Sequence, residues 1–297
     1  MDRKPQRVIL LLSVVAALLA LGSCASGHRE PYSGSEPEVR SLRELETELR
    51  ALAAPGSALR LVELGRVGRG GFEAPLWLLR FRPAGARRRV LLCAGIHGNE
   101  PAAAQWALQW ARSLAESPGA WADTAFDILP LLNPWGWSRD VRFSAGGRDV
   151  NRDFASFATQ EAAILRDFLA GERYDLVVDH HEDPDARGFY LYQYAMRDTV
   201  AARRVIQRVR SLGFPVEQEV NMVILRTRDG LIRAPRWGLW YMKASRRLSM
   251  TNWLRLEGIP RVFTVETPTA LPMADRIGLH RTAFTVLAVD VLQGGSR

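Results

Sequence analysis

Residues 89–115 read RVLLCAGIHGNEPAAAQWALQWARSLA. The first six, 89–94, form a short apolar run of the kind that makes a strand buried on both faces. From Pro101 the pattern changes: alanine-rich sequence with apolar residues at helical spacing and proline in the first turn predicts a helix over 101–115. GIHGNE (95–100) joins the two, and Gly95 and Gly98 allow a tight passage from strand to helix. A strand leading through a polar turn into a helix is the unit from which sheets covered by helices are built. Ligands of such folds bind just outside the carboxyl ends of the strands, where this turn lies.

The same rhythm continues outward. Downstream, strands are predicted at 125–132, 174–179, 220–226 and 261–266, with helices at 159–170, 196–212, 245–257 and 275–291. Upstream, VRSLRELETELRALA (39–53) places leucines on a helical period and stops at Pro55-Gly56. Two further strands, 59–67 and 74–82, linked through Gly68–Gly71, suit an antiparallel edge pair. The expected fold is α/β: a mixed, mostly parallel central sheet with helices on both faces. No internal repeat is visible.

Four polar clusters fall in or just beyond these strands. His97 and Glu100 lie three apart at a helix start, so one turn points both side chains the same way. Imidazole nitrogen and carboxylate oxygen are both zinc ligands. VVDHHED carries two adjacent histidines of the five in the chain. Side chains alternate along a strand, so only one of His180 and His181 can join the same site. Asp149–Arg152 (DVNR) and Glu266, at the end of the apolar strand RVFTV, complete the set.

GIHGNE, NPWG followed by GRDVNRDF, the acidic-histidine turn and TVE, in this order, resemble the M14-type zinc carboxypeptidases. They are closest to short bacterial members and to the related deacylases of the succinylglutamate desuccinylase and aspartoacylase kind. The resemblance covers roughly residues 89–270 and implies the zinc carboxypeptidase-like fold and one zinc ion held by His97, Glu100 and His181. By the same resemblance Asp149 buttresses His97, Asn151 and Arg152 grip a substrate carboxylate, and Glu266 is the general base. An arginine that polarises the scissile carbonyl falls at Arg142, with Arg139 as runner-up because the loop RDVRFSAGG departs from the family pattern. NPWG stands where NPDG is more frequent, and Asp153 where asparagine is. His180 is left for a supporting or substrate-binding part. Tyr241 lies about where carboxypeptidases carry a substrate-contacting tyrosine, in an aromatic and basic segment, 227–247, that is otherwise unlike the family and reads as a wall over the cleft or as packing between helices.

The amino terminus has its own pattern. Arg3, Lys4 and Arg7 precede an apolar run from Val8 to Leu21, which ends in Leu21-Gly22-Ser23-Cys24. This is the layout of an export signal. As a helix the run rises about 21 Å, short of the roughly 30 Å hydrocarbon core. Its end resembles a bacterial lipobox, which implies lipidation of Cys24 and, from Ala25, retention at the outer membrane facing the periplasm. Residues 1–23 are thus expected to be a lipoprotein signal peptide, 24–38 a flexible tether rich in Gly, Ser, Pro and Glu, and 39–297 one catalytic domain. The other cysteine, Cys93, then has no partner and reads as a small buried hydrophobe.

The net charge is +8, falling to +6 once residues 1–23 are gone. The basic residues are scattered and no aromatic–basic nucleic-acid motif appears, so the expected partners are a peptide or cell-wall peptide substrate and the membrane, through the lipid, rather than nucleic acid. The function expected is zinc-dependent hydrolysis of an amide bond near a free carboxylate, as a carboxypeptidase or peptide amidase of the cell envelope. The alternatives are a deacylase of N-acyl amino acids and a catalytically silent zinc- or peptide-binding lipoprotein.

Overall fold

The structure is a computed structural model that describes residues 37–218, 221–222 and 225–293. The signal peptide, Cys24 and nearly all of the tether lie outside these residues. Among the described residues no helix is long and apolar enough to cross a membrane.

Eight strands form one sheet. In chain order they are β1 (Leu59–Arg69), β2 (Phe72–Phe81), β3 (Arg88–Ala94), β4 (Thr124–Leu129), β5 (Leu176–Asp183), β6 (Tyr190–Tyr194), β9 (Leu231–Ala234) and β10 (Val262–Pro268). Two short strands, β7 (Asn221–Met222) and β8 (Leu225–Arg226), pair only with each other. The order across the sheet is β1-β2-β4-β3-β5-β10-β6-β9. β4, β3, β5 and β10 run parallel, while β1 and β2 form the expected antiparallel edge pair.

Alternation along each strand sorts the core into two layers. Val90, Leu92 and Ala94 of β3, with Val178 of β5 and Val265 of β10, meet α1 (Leu42–Leu52), α2 (Pro101–Glu116), α5 (Val200–Ser211) and α8 (Met273–Gln293). Here Trp110 packs against Phe284 at 5.0 Å and against Trp121 at 5.2 Å. Truncation of a buried aromatic of this size costs about 3–5 kcal/mol. Leu91, Cys93 and Val177 face the other way, onto α4 (Gln160–Leu169), α6 (Arg236–Ala244) and α7 (Met250–Leu256). Cys93 is buried there, and burial raises its thiol pKa, so it acts as a hydrophobe.

Several boundaries differ from the sequence reading. The helix expected over 245–257 is shorter, α7 alone: Arg246 takes φ 55°, and Ser249 caps α7 by accepting the Asn252 N–H. Residues 236–244, read as an aromatic loop, are helical. The strand expected over 220–226 is the short β7–β8 pair. β5 runs through both histidines to Asp183, four residues beyond the expected end. β6 and β9 were not expected: YLYQY is short, and LIRA gives no alternation to read.

Two loops at the carboxyl ends of β3 and β4 pack backbone to backbone. The Leu132 N–H donates to the Ala94 carbonyl and the Asn133 N–H to that of Gly95. Asn133 caps the short helix α3 (Pro134–Ser138) through the Gly136 N–H and also donates to the Arg142 carbonyl at 3.2 Å. The NPWG motif therefore shapes the turn that carries Arg142. Gly98 lies so close to Gly136 that a Cβ on it would collide with the Gly136 carbonyl carbon and the Trp137 nitrogen. A Gly98→Ala protein should lower the thermal midpoint by several degrees and release bound Zn²⁺, read by calorimetry and metal analysis; unchanged values in both would remove Gly98 from the account.

Candidate metal centre and substrate site

His97 and Glu100 come from the turn after β3, and His181 from β5, the neighbouring strand. All three are buried. Their donor atoms lie within 4.8 Å of one another. His97 Nδ1 is 2.6 Å from Glu100 Oε1, His181 Nδ1 is 2.8 Å from Glu100 Oε2, and the two Nδ1 atoms are 3.1 Å apart.

The far side of each ring decides the protonation. His97 Nε2 is 3.2 Å from Asp149 Oδ1 and His181 Nε2 is 2.8 Å from Asp179 Oδ2. Carboxylates there hold the protons on Nε2, and two Nδ1 atoms so close cannot both carry one. With both rings neutral, two imidazole lone pairs and a carboxylate converge on one point. Burial alone would make Glu100 harder to ionise, yet the two imidazoles outweigh it and hold the carboxyl well below the usual carboxylate range. Burial likewise opposes charge on His181, and Asp179 and Glu100 overcome it, pushing its pKa well above the ordinary value. The pocket demands a positive charge at its centre, and two nitrogens plus one oxygen are a fitting donor set for a metal ion.

Other elements hold these ligands in place. Asp149 caps the 3₁₀ turn Val150–Arg152 by accepting the Asn151 N–H at 2.9 Å. It also accepts from Arg142 Nε and Nη2 at 3.1 and 2.9 Å. Burial works against its charge, but His97 and Arg142 keep it ionised. Glu182, next to His181, accepts the Ala102 N–H at 2.6 Å and pairs with Arg276 of α8. It thus caps α2, which begins directly after Glu100. Asn151 presents Nδ2 3.4 Å from His181 Nε2 and accepts the Met250 N–H at 3.0 Å, which anchors α7 to the site.

The two arginine choices separate. Arg142 Nη1 is 3.7 Å from Glu100 Oε1, beside the triad. Arg139 instead lies over the rings of Phe72 and Trp135, at 5.1 and 5.5 Å, and donates to Ser138 Oγ. Glu266 on β10 is the register partner of His181 across the parallel pair and of Tyr190 on β6, so it stands on the same edge of the sheet as the triad. Burial pushes its carboxyl up to about 8; the His181 imidazole opposes this, and Glu100 adds to it. Arg152 donates Nη1 to the Asn151 carbonyl at 2.9 Å and is close enough to Asp149 to stabilise its charge. Tyr241 lies half-buried on α6, and its part in substrate binding is a proposal.

His180 is not at this site. It points to the other face of β5, where its Nδ1 is 3.1 Å from His280 Nδ1 and its ring packs against Trp106 and Phe284. Alternation along the strand puts it there, which removes the substrate-binding reading. Sequence reasoning missed Asp179 and Glu182. Asp179 was legible, because positions two apart share a strand face. The helix cap by Glu182 spans eighty residues and left no local signal.

Similar proteins are known. Residues 86–222 match the family model of the Succinylglutamate desuccinylase/Aspartoacylase catalytic domain. The chain is 28% identical over 184 residues to Carboxypeptidase 2 of Trichophyton rubrum, covering 58% of this chain and 33% of that protein. It therefore spans about a third of the length of that relative. Among solved structures, a Shewanella denitrificans protein provisionally described as a metallopeptidase superimposes with a TM-score of 0.67 at 20% identity, covering 84% of this chain and 88% of the other. A metallo-carboxypeptidase of Burkholderia cenocepacia gives 0.64 at 18% identity, over 86% and 70% of the two chains. The fold is zinc carboxypeptidase-like. Over residues 86–222 the chain is similar to the desuccinylase/aspartoacylase catalytic domains and over 184 residues to a carboxypeptidase, which supports the resemblance its motifs imply.

The supporting carboxylates give a direct test. Asp179→Asn and Asp149→Asn proteins should bind Zn²⁺ about 10–100-fold more weakly in a competition titration against a chelator, with their fold unchanged by circular dichroism. Wild-type affinity in both would show that these groups do not tune the site.

Proposed function

We propose that the protein is a zinc-dependent hydrolase that cleaves an amide bond beside a free carboxylate. The observation that carries this is the convergence of the His97, Glu100 and His181 donors, with Arg142 3.7 Å from Glu100 and Glu266 in register with His181 on the next strand. Zinc at such a site supplies a Lewis acid for the scissile carbonyl and makes water acidic enough to serve near neutral pH.

The chain's own groups supply the rest. Glu266, raised by its enclosure, is suited to take a proton from the attacking water and pass it to the departing amine. Arg142 stays charged although partly buried, because Asp149 and Glu100 outweigh the desolvation, and it is assigned to the position where negative charge grows on the carbonyl oxygen. Arg152 and Asn151 offer a forked cation and a neutral amide for the substrate's terminal carboxylate. Tyr241 is assigned to the wall of the same cleft.

The carboxypeptidase relatives favour a peptide substrate. A second reading, deacylation of an N-acyl amino acid, is favoured by the desuccinylase/aspartoacylase match over 86–222. Both use one set of groups and differ in the size of the acyl side. The sequence of the first 24 residues supports export and anchoring by lipid at Cys24, hence a peptide of the cell envelope as substrate.

Glu266→Gln should retain one zinc per chain and lose 10²–10⁴ in kcat. Hydrolysis would be followed on peptides with free carboxyl termini and, in parallel, on N-acyl amino acids; the substrate set with the higher kcat/KM decides between the two readings. A Glu266→Gln enzyme as active as the wild type would refute the role given to Glu266. No turnover of either set by zinc-loaded wild type would favour a silent, ligand-binding protein.

A further inference from the structure

We propose that α6 and its flanks, residues 233–247, form a docking surface for an anionic lipid bilayer. The inference does not rest on the hydrolytic reading or on lipidation of Cys24.

Trp237 and Trp240 are 60% and 52% exposed, and they are the only large aromatic side chains so exposed among the described residues. Three residues apart on one helix, they share a face. Leu239 on the opposite side is buried and fixes α6 to the core, so the tryptophans are held outward by a packed helix. Lys243 stands one turn on, its Nζ 5.4 Å from the Trp240 ring. Arg233, Arg236 and Arg246 are exposed around them.

The charges beside the tryptophans are all of one sign. The fifteen residues 233–247 include five basic residues and no acid. Some exposed arginines elsewhere are matched to acids: Arg50 with Glu46, Arg66 with Glu73, Arg112 with Glu48, Arg204 with Asp290. Among the described residues, Arg233, Arg236, Lys243 and Arg246 form no ion pair. Arg236 adds its field to that of Arg255, whose pKa is lowered first by burial and then by this like charge.

The two features call for the same partner. Exposed tryptophans gain most at a boundary where the ring meets apolar chains and the indole N–H meets water, which is the headgroup level of a bilayer. Unpaired lysine and arginine beside them gain from anionic headgroups and oppose approach to a basic protein, including a second copy of this chain with its charge of +8. A soluble polyanion would satisfy the charges and leave the tryptophans in water.

The test is vesicle flotation with the full-length chain carrying Cys24→Ser, so that no lipid is attached. Phosphatidylglycerol-containing vesicles are compared with pure phosphatidylcholine vesicles. At least about tenfold tighter binding to the anionic vesicles is expected, weakening as salt rises. Trp237→Ala with Trp240→Ala, and separately Lys243→Glu with Arg246→Glu, should each remove that preference. These side chains are exposed, so circular dichroism and zinc content should match the parent. Equal binding to both vesicle types overturns the proposal, as does anionic preference that survives both double variants. Retention on isolated cell-wall sacculi without preference for anionic vesicles also overturns it and assigns the face to a wall polymer. Reversible dimerisation through the tryptophans, with no vesicle binding, overturns it in favour of self-association.

Discussion

Two histidine lone pairs and a carboxylate pressed together in a dry pocket repel one another, and everything around the site is arranged to keep them there. Asp149 and Asp179 hold the outer nitrogens of the two rings, so neither ring can turn away. Without a cation at the centre, protons must fill the gap, which is why, although burial opposes it, Asp179 and Glu100 pull the His181 pKa upward. The pocket stores its affinity for a positive ion in this repulsion, and the ion in turn relieves it. A buried network left half-satisfied is costly, so the site and the stability of its surroundings are coupled.

The sheet makes that confinement possible. His97 and Glu100 follow β3, His181 lies two residues before the end of β5, and Glu266 stands on β10, so three adjacent parallel strands deliver the groups to one edge. The close approach of Gly98 to Gly136 lets the loop after β4 bring Arg142 over the triad. Glu182 closes the circle: it leaves β5 beside a ligand histidine and caps the helix that begins at the ligand glutamate. A shift of either strand or helix would move two donors at once.

Much of this was legible in the chain because the groups sit beside strong local signals. The apolar run before GIHGNE, the proline and alanines after it, and the apolar strand before Glu266 fixed where each donor would fall. Strand alternation stated that His180 and His181 point apart, and the packing of His180 against Trp106 and His280 shows which way. What stayed hidden was either short or long-range. β6 and β9 are too brief to show a period, and α6 is obscured by Gly238 and by aromatics that suit a loop equally well. The choice of Arg142 over Arg139 depends on the aromatic rings of Phe72 and Trp135, which capture Arg139. The family's spacing already put Arg142 first, and the rings account for where Arg139 lies instead.

The central claim, that His97, Glu100 and His181 share one zinc ion, is tested most directly by anomalous-difference crystallography at the zinc edge on metal-loaded protein. The account predicts one strong peak between the three side chains, with nitrogen ligands at about 2.0–2.1 Å and a carboxylate oxygen at about 2.0–2.2 Å. A peak elsewhere, or zinc-loaded crystals whose triad carries no anomalous signal, would contradict it.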